Sequence, residues 1–193
     1  MTPRIAPGSR RQVGLVAWAI SQGAGRIGGT NAPNLFLTLG RNPRLFRGWL
    51  RFAGRLMPGG TLPRRETELV ILRVAHHRQC LYEFEHHVRL GARAGVGQDD
   101  VLQITQELDA GPWSTRERAL LCAVDALHFE QDLNDGVWGA LGKHLNEREI
   151  IELCFLVGHY EMLATVITAL GIEPDTPRHQ QSCLLYTSDA ADE

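Results

Sequence analysis

Residues 68–87 read ELVILRVAHHRQCLYEFEHH. The first half, Glu68 to His77, carries apolar side chains on all sides (Val70, Ile71, Leu72, Val74, Ala75), as expected of a helix buried in a core rather than lying on a surface. A second helix is expected to start at or just after Cys80. On that second helix Cys80, Glu83 and His87 fall at i, i+3 and i+7, which places a thiol, a carboxylate and an imidazole on one face. Glu68 lies one helix earlier and can fold back toward them.

Working outward, apolar residues recur at helical spacing along nearly the whole chain, and the breaks carry helix punctuation rather than hairpin turns. The pattern predicts an all-α, multi-helical bundle. A first amphipathic helix is expected over Arg11 to Gln22, followed by a loop through the Gly-rich GAGRIGGTNAP to Pro33. Asn34 to Leu39 reads as a short turn, and Pro43 suits the first position of a helix running to Leu56. Pro63 opens the helix carrying Glu68, and Gly91 or Gly95 closes the one carrying His87. Ser114 with Glu117, and Asn146 with Glu149, form capping boxes ahead of two further helices. Gly171 and Pro174 stop the last one. An internal echo, Leu62-Pro-Arg-Arg-Glu-Thr-Glu-Leu against Leu145-Asn-Glu-Arg-Glu-Ile-Ile-Glu-Leu, is consistent with two weakly related helical halves.

The segment Cys183 to Glu193, CLLYTSDAADE, resembles the translation of a sequencing-library adaptor. It is expected to be non-native, leaving residues 1–182 as a single helical domain. Its acids Asp189, Asp192 and Glu193 account for the net charge of −2; without them the chain is slightly basic. With arginine supplying every basic side chain except Lys143, and no dense basic run, no nucleic-acid partner is expected. At 44% hydrophobic and 22% charged residues the composition is that of a globular protein. Cys80, Cys122 and Cys154 form no CxxC pair, so a reducing, cytoplasmic setting is expected. Ser9-Arg10-Arg11 before VGLVAWAI resembles a twin-arginine export signal, but the apolar run is short and no A-x-A site follows, so export is not expected. The run is also far below the ~20 residues of a membrane span.

The chemistry of the central segment follows from helix geometry. At ~1.5 Å rise per residue, Cys80 and His87 stand about 10 Å apart along the axis, too far for a hydrogen bond, with Glu83 one turn from each. A Glu83–His87 contact would favour imidazolium and orient the ring, making His87 an acid or base for use near neutral pH. Cys80 near a helix N-terminus is drawn toward thiolate by the dipole and pushed away from it by Glu83. Glu83 and His87, with His76, His77 or His86, do not reproduce a spaced metal-ligand pair, so no metal is expected. His159 and Tyr160, next to Gly158 on the last helix, are weaker candidates for lining the same cavity. Read one at a time, each of these residues also fits a surface pair, a small core thiol or a solvated first-turn carboxylate. Their concentration in one segment is what points to a site.

The pattern E-x11-C-x2-E-x3-H, within LPRRETELVILRVAHHRQCLYEFEHHVRLGARAGV, resembles the carboxymuconolactone decarboxylase family, related to alkylhydroperoxidase D. The likeness extends from NLFLTLGRNPRLFRGWLRFAGRLMPGG through WSTRERALLCAVDALH to ELCFLVGHYEMLA, covering most of Asn34 to Gly171. It implies an alkylhydroperoxidase D-like helical fold, a homo-oligomer of trimeric or hexameric type, no organic cofactor, and a small-molecule substrate. The peroxidase branch carries E-x11-C-x2-C-x3-H, with both thiols reacting. Here Glu68, Cys80 and His87 match, and Glu83 replaces the second cysteine, so a two-cysteine disulfide cycle cannot run within the motif. What the resemblance then implies is acid/base chemistry on a small carboxylated substrate of lactone or keto-acid type, with catalytic candidates Glu68, Cys80, Glu83 and His87: His87 as acid or base, Glu83 orienting it and Glu68 completing the relay. The rivals are a single-cysteine, peroxiredoxin-type hydroperoxidase using Cys80 and a non-catalytic helical oligomer.

Overall fold

The first half of the quoted segment is enclosed: every residue from Glu66 to Ala75 is buried in a computed structural model of the chain, which describes residues 2–108 and 111–178. The helix they belong to, α4 (Arg64–His77), is the centre of a unit spanning residues 49–169. It packs against α5 (Leu81–Ala92) and α7 (Thr115–Phe129), and α7 packs against α8 (Asp135–Leu141). The unit also holds the end of α3 (Pro43–Leu56), α6 (Gln98–Gln103) and most of α9 (Glu147–Leu170). Among the described residues there is no β-strand beyond one isolated bridge, and the architecture is all-α.

The core around α4 comprises Leu69, Leu72, Val96, Ile104, Leu108, Trp113 and Leu121, with Phe84, Val88, Val101 and Cys122 against it. Cys122 is thereby a packing residue. Arg73 is a charged side chain inside this apolar setting. Arg73 faces Asp125 of α7 through two bonds of 2.8 Å and donates to the carbonyls of Ile104 and Gln106. A buried guanidinium is tolerable only when its donors are matched in this way.

The link between α4 and α5 aligns the candidate residues. Gln79 takes a left-handed conformation (φ 49°) and the Cys80 amide donates back to the Ala75 carbonyl at 2.9 Å, so the chain reverses within three residues. Glu68 lies about 16 Å along the chain before Gln79 and His87 about 12 Å after it, at ~1.5 Å per residue. Antiparallel return therefore brings them nearly level.

Both capping boxes form. Ser114 and Glu117 exchange bonds at the start of α7, and Asn146 and Glu149 at the start of α9. The internal echo has a physical trace: Glu66 and Glu149, equivalent in the two copies, bind the same Arg116. Glu152, the counterpart of Glu68, instead accepts from the Thr61 and Leu62 amides ahead of α4.

Of the described residues, 2–48 and 170–178 form the other unit. Here α1 (Arg10–Gly28) overturns the expected loop: the Gly-rich stretch 23–28 is helical. The buried stripe of α1 is Val13, Ala17, Ser21, Gly25 and Gly28, small residues at helical spacing. A Cβ at Gly25 would collide with the Asn31 backbone, so this glycine serves close packing rather than a loop. The break lies earlier, at Gly14, whose φ of 80° kinks the helix. α2 (Asn34–Leu39) packs on α1, and the Asn34 amide donates to Asp175 at 2.8 Å. Gly171, at φ 64°, ends α9 as expected. α6 and α8, each seven residues or shorter, were not marked by the periodicity. The adaptor-like segment 183–193 lies outside the described residues.

Candidate active site

Four candidates converge in the 49–169 unit, and all are buried: Glu68, Cys80, Glu83 and His87. Their pairing differs from the expected one. His87 Nδ1 meets Glu68 Oε2 at 2.7 Å, whereas neither oxygen of Glu83 has a hydrogen-bond partner of good geometry. The turn at Gln79 accounts for this: it delivers His87 to α4, which supplies the orienting carboxylate in place of the i−4 residue of its own helix. Glu68 Oε1 is ion-paired with Arg64 Nη2 at 2.7 Å, an i,i+4 contact on α4. Arg64 was not picked out in the sequence, although its spacing from Glu68 was available there.

Glu83 is 2% exposed. Desolvation pushes its carboxyl up to about 8; a weak hydrogen bond from the Cys80 thiol and the positive charge of Arg78 act downward, and the charge of Glu161 adds to the rise. At neutral pH this carboxyl holds its proton. Cys80 is pushed up to about 12, first by burial and then by Glu83, and the backbone amides of Glu83 and Tyr82 recover only part of that. The contest between helix terminus and carboxylate at Cys80 is thus decided by burial, and the resting group is a thiol.

Tyr160 of α9 covers the other side of His87, edge-on with ring centroids 5.1 Å apart. Burial raises its phenol well above the usual value, and the charges of Glu83 and Glu68 act in the same direction. The hydroxyl contacts Met57 Sδ at 3.8 Å. His159 stacks on Trp49 and meets Phe52 edge-on, and burial with the neighbouring His87 lowers it to about 4. Gly158 permits no close helix approach within the chain: it is exposed, and a Cβ there would meet nothing within 4 Å.

A cavity of about 450 Å³ reaches this group at Cys80, lined also by His76, His77, Gln79, Leu81, Phe84 and Thr105. Neither His159 nor Tyr160 lines it; they pack behind His87 instead. Among the described residues no three histidine, cysteine, aspartate or glutamate side chains are placed to hold a metal ion.

Residues 43–126 match the model of the carboxymuconolactone decarboxylase family. No curated protein sequence matches the chain. Among solved structures, an uncharacterised peroxidase-related protein from Ralstonia eutropha JMP134, described as an alkylhydroperoxidase AhpD core, superposes with a TM-score of 0.76 at 19% identity, over 88% of this chain and 92% of that one. The debrominase Bmp8 gives 0.77 at 18% identity over 92% and 96%. A variant of that debrominase in complex with 2,3,4-tribromopyrrole gives 0.76 at 17% over 96% and 98%. At these identities the likeness establishes the alkylhydroperoxidase D-like fold.

Proposed function

We propose that this chain, whose residues 43–126 match the model of the carboxymuconolactone decarboxylase family, is an enzyme of general acid/base type acting on a small carboxylated substrate. The observation that carries this reading is a carboxyl group, Glu83, enclosed with neither oxygen well bonded, one helical turn from a buried imidazole–carboxylate pair, a setting in which burial pushes it up to about 8. An acid whose pKa lies near the working pH is the group such chemistry needs. In a decarboxylation the C–C bond to the carboxylate breaks, carbon dioxide leaves, and the electron pair stays on the carbon skeleton. Glu83 is the proton source for that carbon, and the His87–Glu68 pair returns a proton to the site, with Arg64 balancing Glu68. The roles of Glu68 and Glu83 are therefore exchanged relative to the reading from sequence.

A second reading rests on one observation: of the four candidates, the cavity touches Cys80. A nucleophilic thiol there would suit hydroperoxide reduction, and a debrominase and a peroxidase-related protein share the scaffold. Its raised pKa argues against it, since the thiolate is the nucleophile. We also propose assembly from several copies. α9 is long and apolar enough to cross a membrane, yet half of its most apolar stretch is packed inside the protein. The outward face shows Ile151, Phe155 and Met162, which a second copy would cover.

The test is carbon dioxide release from a panel of small carboxylated lactones and β-keto acids, with alkyl hydroperoxide consumption alongside. Turnover of an acid that Glu83→Gln and His87→Gln abolish and Cys80→Ser retains supports the acid/base reading. Hydroperoxide reduction lost in Cys80→Ser and kept in Glu83→Gln overturns it in favour of the thiol.

A further inference from the structure

The first acidic residue of the chain is Glu66, and before it stand eleven arginines with no lysine or histidine. The small net charge of the whole chain hides this asymmetry, which dominates the unit formed by residues 2–48 and 170–178. That unit carries eight arginines and two acids, and one of the acids, Asp175, is buried and accepts from the Asn34 amide. Arg26, Arg44 and Arg47 are exposed and make no ion pair among the described residues. Arg10 and Arg11, the pair that resembles an export signal in the sequence, open α1, with Arg10 5.3 Å from the centre of the Trp18 ring.

The same helix is apolar on both sides. Its stripe of small residues is buried, whereas Leu15 (60% exposed), Val16 (66%) and Ile20 (38%) face outward. A helix that is apolar all round is normally enclosed, so this outward face calls for a cover. Val13, Leu15, Val16, Ile20 and Phe46 line a groove of about 240 Å³ between α1 and the start of α3, and Arg47 stands in its wall. Arg44 lies one turn earlier on α3. Exposed aliphatic side chains and permanent positive charges therefore share one surface.

The occupant must suit both. A second copy presenting this face would set arginine against arginine, because α1, α2 and α3 contain no acid. A nucleic-acid backbone would match the charges and leave the aliphatic groups in water. An anionic lipid surface matches the arginines with phosphate and takes the aliphatic groups into the acyl boundary.

We propose that this unit docks peripherally on membranes rich in anionic phospholipid. The outward face of α1 lies in the plane of the headgroups, Leu15, Val16 and Ile20 enter the acyl boundary, and Arg26, Arg44 and Arg47 bind lipid phosphate. The inference is independent of the acid/base reading, whose residues belong to the other unit.

Flotation of the full chain with vesicles of phosphatidylcholine, alone or with about 30 mol% phosphatidylglycerol, tests it. Partitioning should be at least about tenfold stronger onto the anionic vesicles and should fall as salt is raised to about 0.5 M. Arg26→Gln, Arg44→Gln and Arg47→Gln together should lose at least about tenfold, and lysine at the same three positions should retain binding. Leu15→Gln with Val16→Gln should also lose about tenfold with every arginine in place. All five positions are exposed, so circular dichroism should stay unchanged. Equal partitioning onto the two vesicle types, or none onto either, overturns the proposal. So does anionic binding that survives Leu15→Gln with Val16→Gln, since charge alone then suffices, as it would for a nucleic-acid partner. Sedimentation velocity without lipid should give the same mass for that variant and the wild type; a smaller mass for the variant would assign the face to a second copy and overturn the membrane reading.

Discussion

Replacing Glu83 by glutamine removes a charge that the fold resists creating. The carboxyl has an ordinary value of 4.5 and is raised to about 8 in the folded chain. Between these values the unfolded state gives up its proton and the folded state keeps it, so stability falls as pH rises from near 4.5 and levels off above 8. This is the reverse of the usual salt-bridged carboxylate. At about 1.4 kcal/mol per unit, the loss between pH 5 and pH 8.5 amounts to about 4 kcal/mol, a ceiling given the large desolvation contribution. Glutamine keeps the shape and the uncharged state, so Glu83→Gln should match the wild type within about 1 kcal/mol at pH 5 and exceed it by several kcal/mol at pH 8.5. Urea unfolding followed by circular dichroism at the two pH values measures the difference. Parallel stability–pH curves for the two proteins would refute the reasoning, because they would mean that Glu83 ionises equally easily folded and unfolded.

Other consequences follow from the same geometry. With its pKa pushed up to about 12, Cys80 should react with iodoacetamide at pH 8 about 100-fold more slowly than an unfolded thiol, and Glu83→Gln should speed it; mass-spectrometric rates distinguish the cases. Glu68→Ala strips His87 and Arg64 of their shared partner and should cost about 3 kcal/mol in chemical denaturation, whereas Arg64→Ala, at the partly exposed end of the pair, should cost about 1 kcal/mol or less. Leu72→Ala, fully enclosed in the core around α4, should cost about 2–5 kcal/mol, measured in the same way.

The all-α fold was legible because periodicity, capping boxes and proline positions agreed over most of the chain. The Pro43–Leu56 helix and both boxes lie where the sequence put them. The Gly23–Gly28 stretch misled because glycine serves two opposite ends: it frees a loop, and it lets another backbone approach a helix. Only the position of Asn31 tells which applies at Gly25. At the site, residue choice was legible and pairing was not. Spacing along α5 favoured Glu83 as the partner of His87, but the register of α5 on α4 is set by the left-handed Gln79, a three-residue detail with no glycine to announce it. The state of Cys80 was open for a different reason: helix terminus and carboxylate oppose each other, and burial, which decided the outcome, is a tertiary quantity.

Carbon-13 NMR of the Glu83 side-chain carboxyl, assigned by comparison with Glu83→Gln and titrated from pH 4 to 10, tests the central claim most directly. The account predicts a midpoint near 8, with the carboxyl protonated at pH 7. A midpoint near 4.5, the value of a solvated glutamate, would contradict it and remove the proton source from the proposed mechanism.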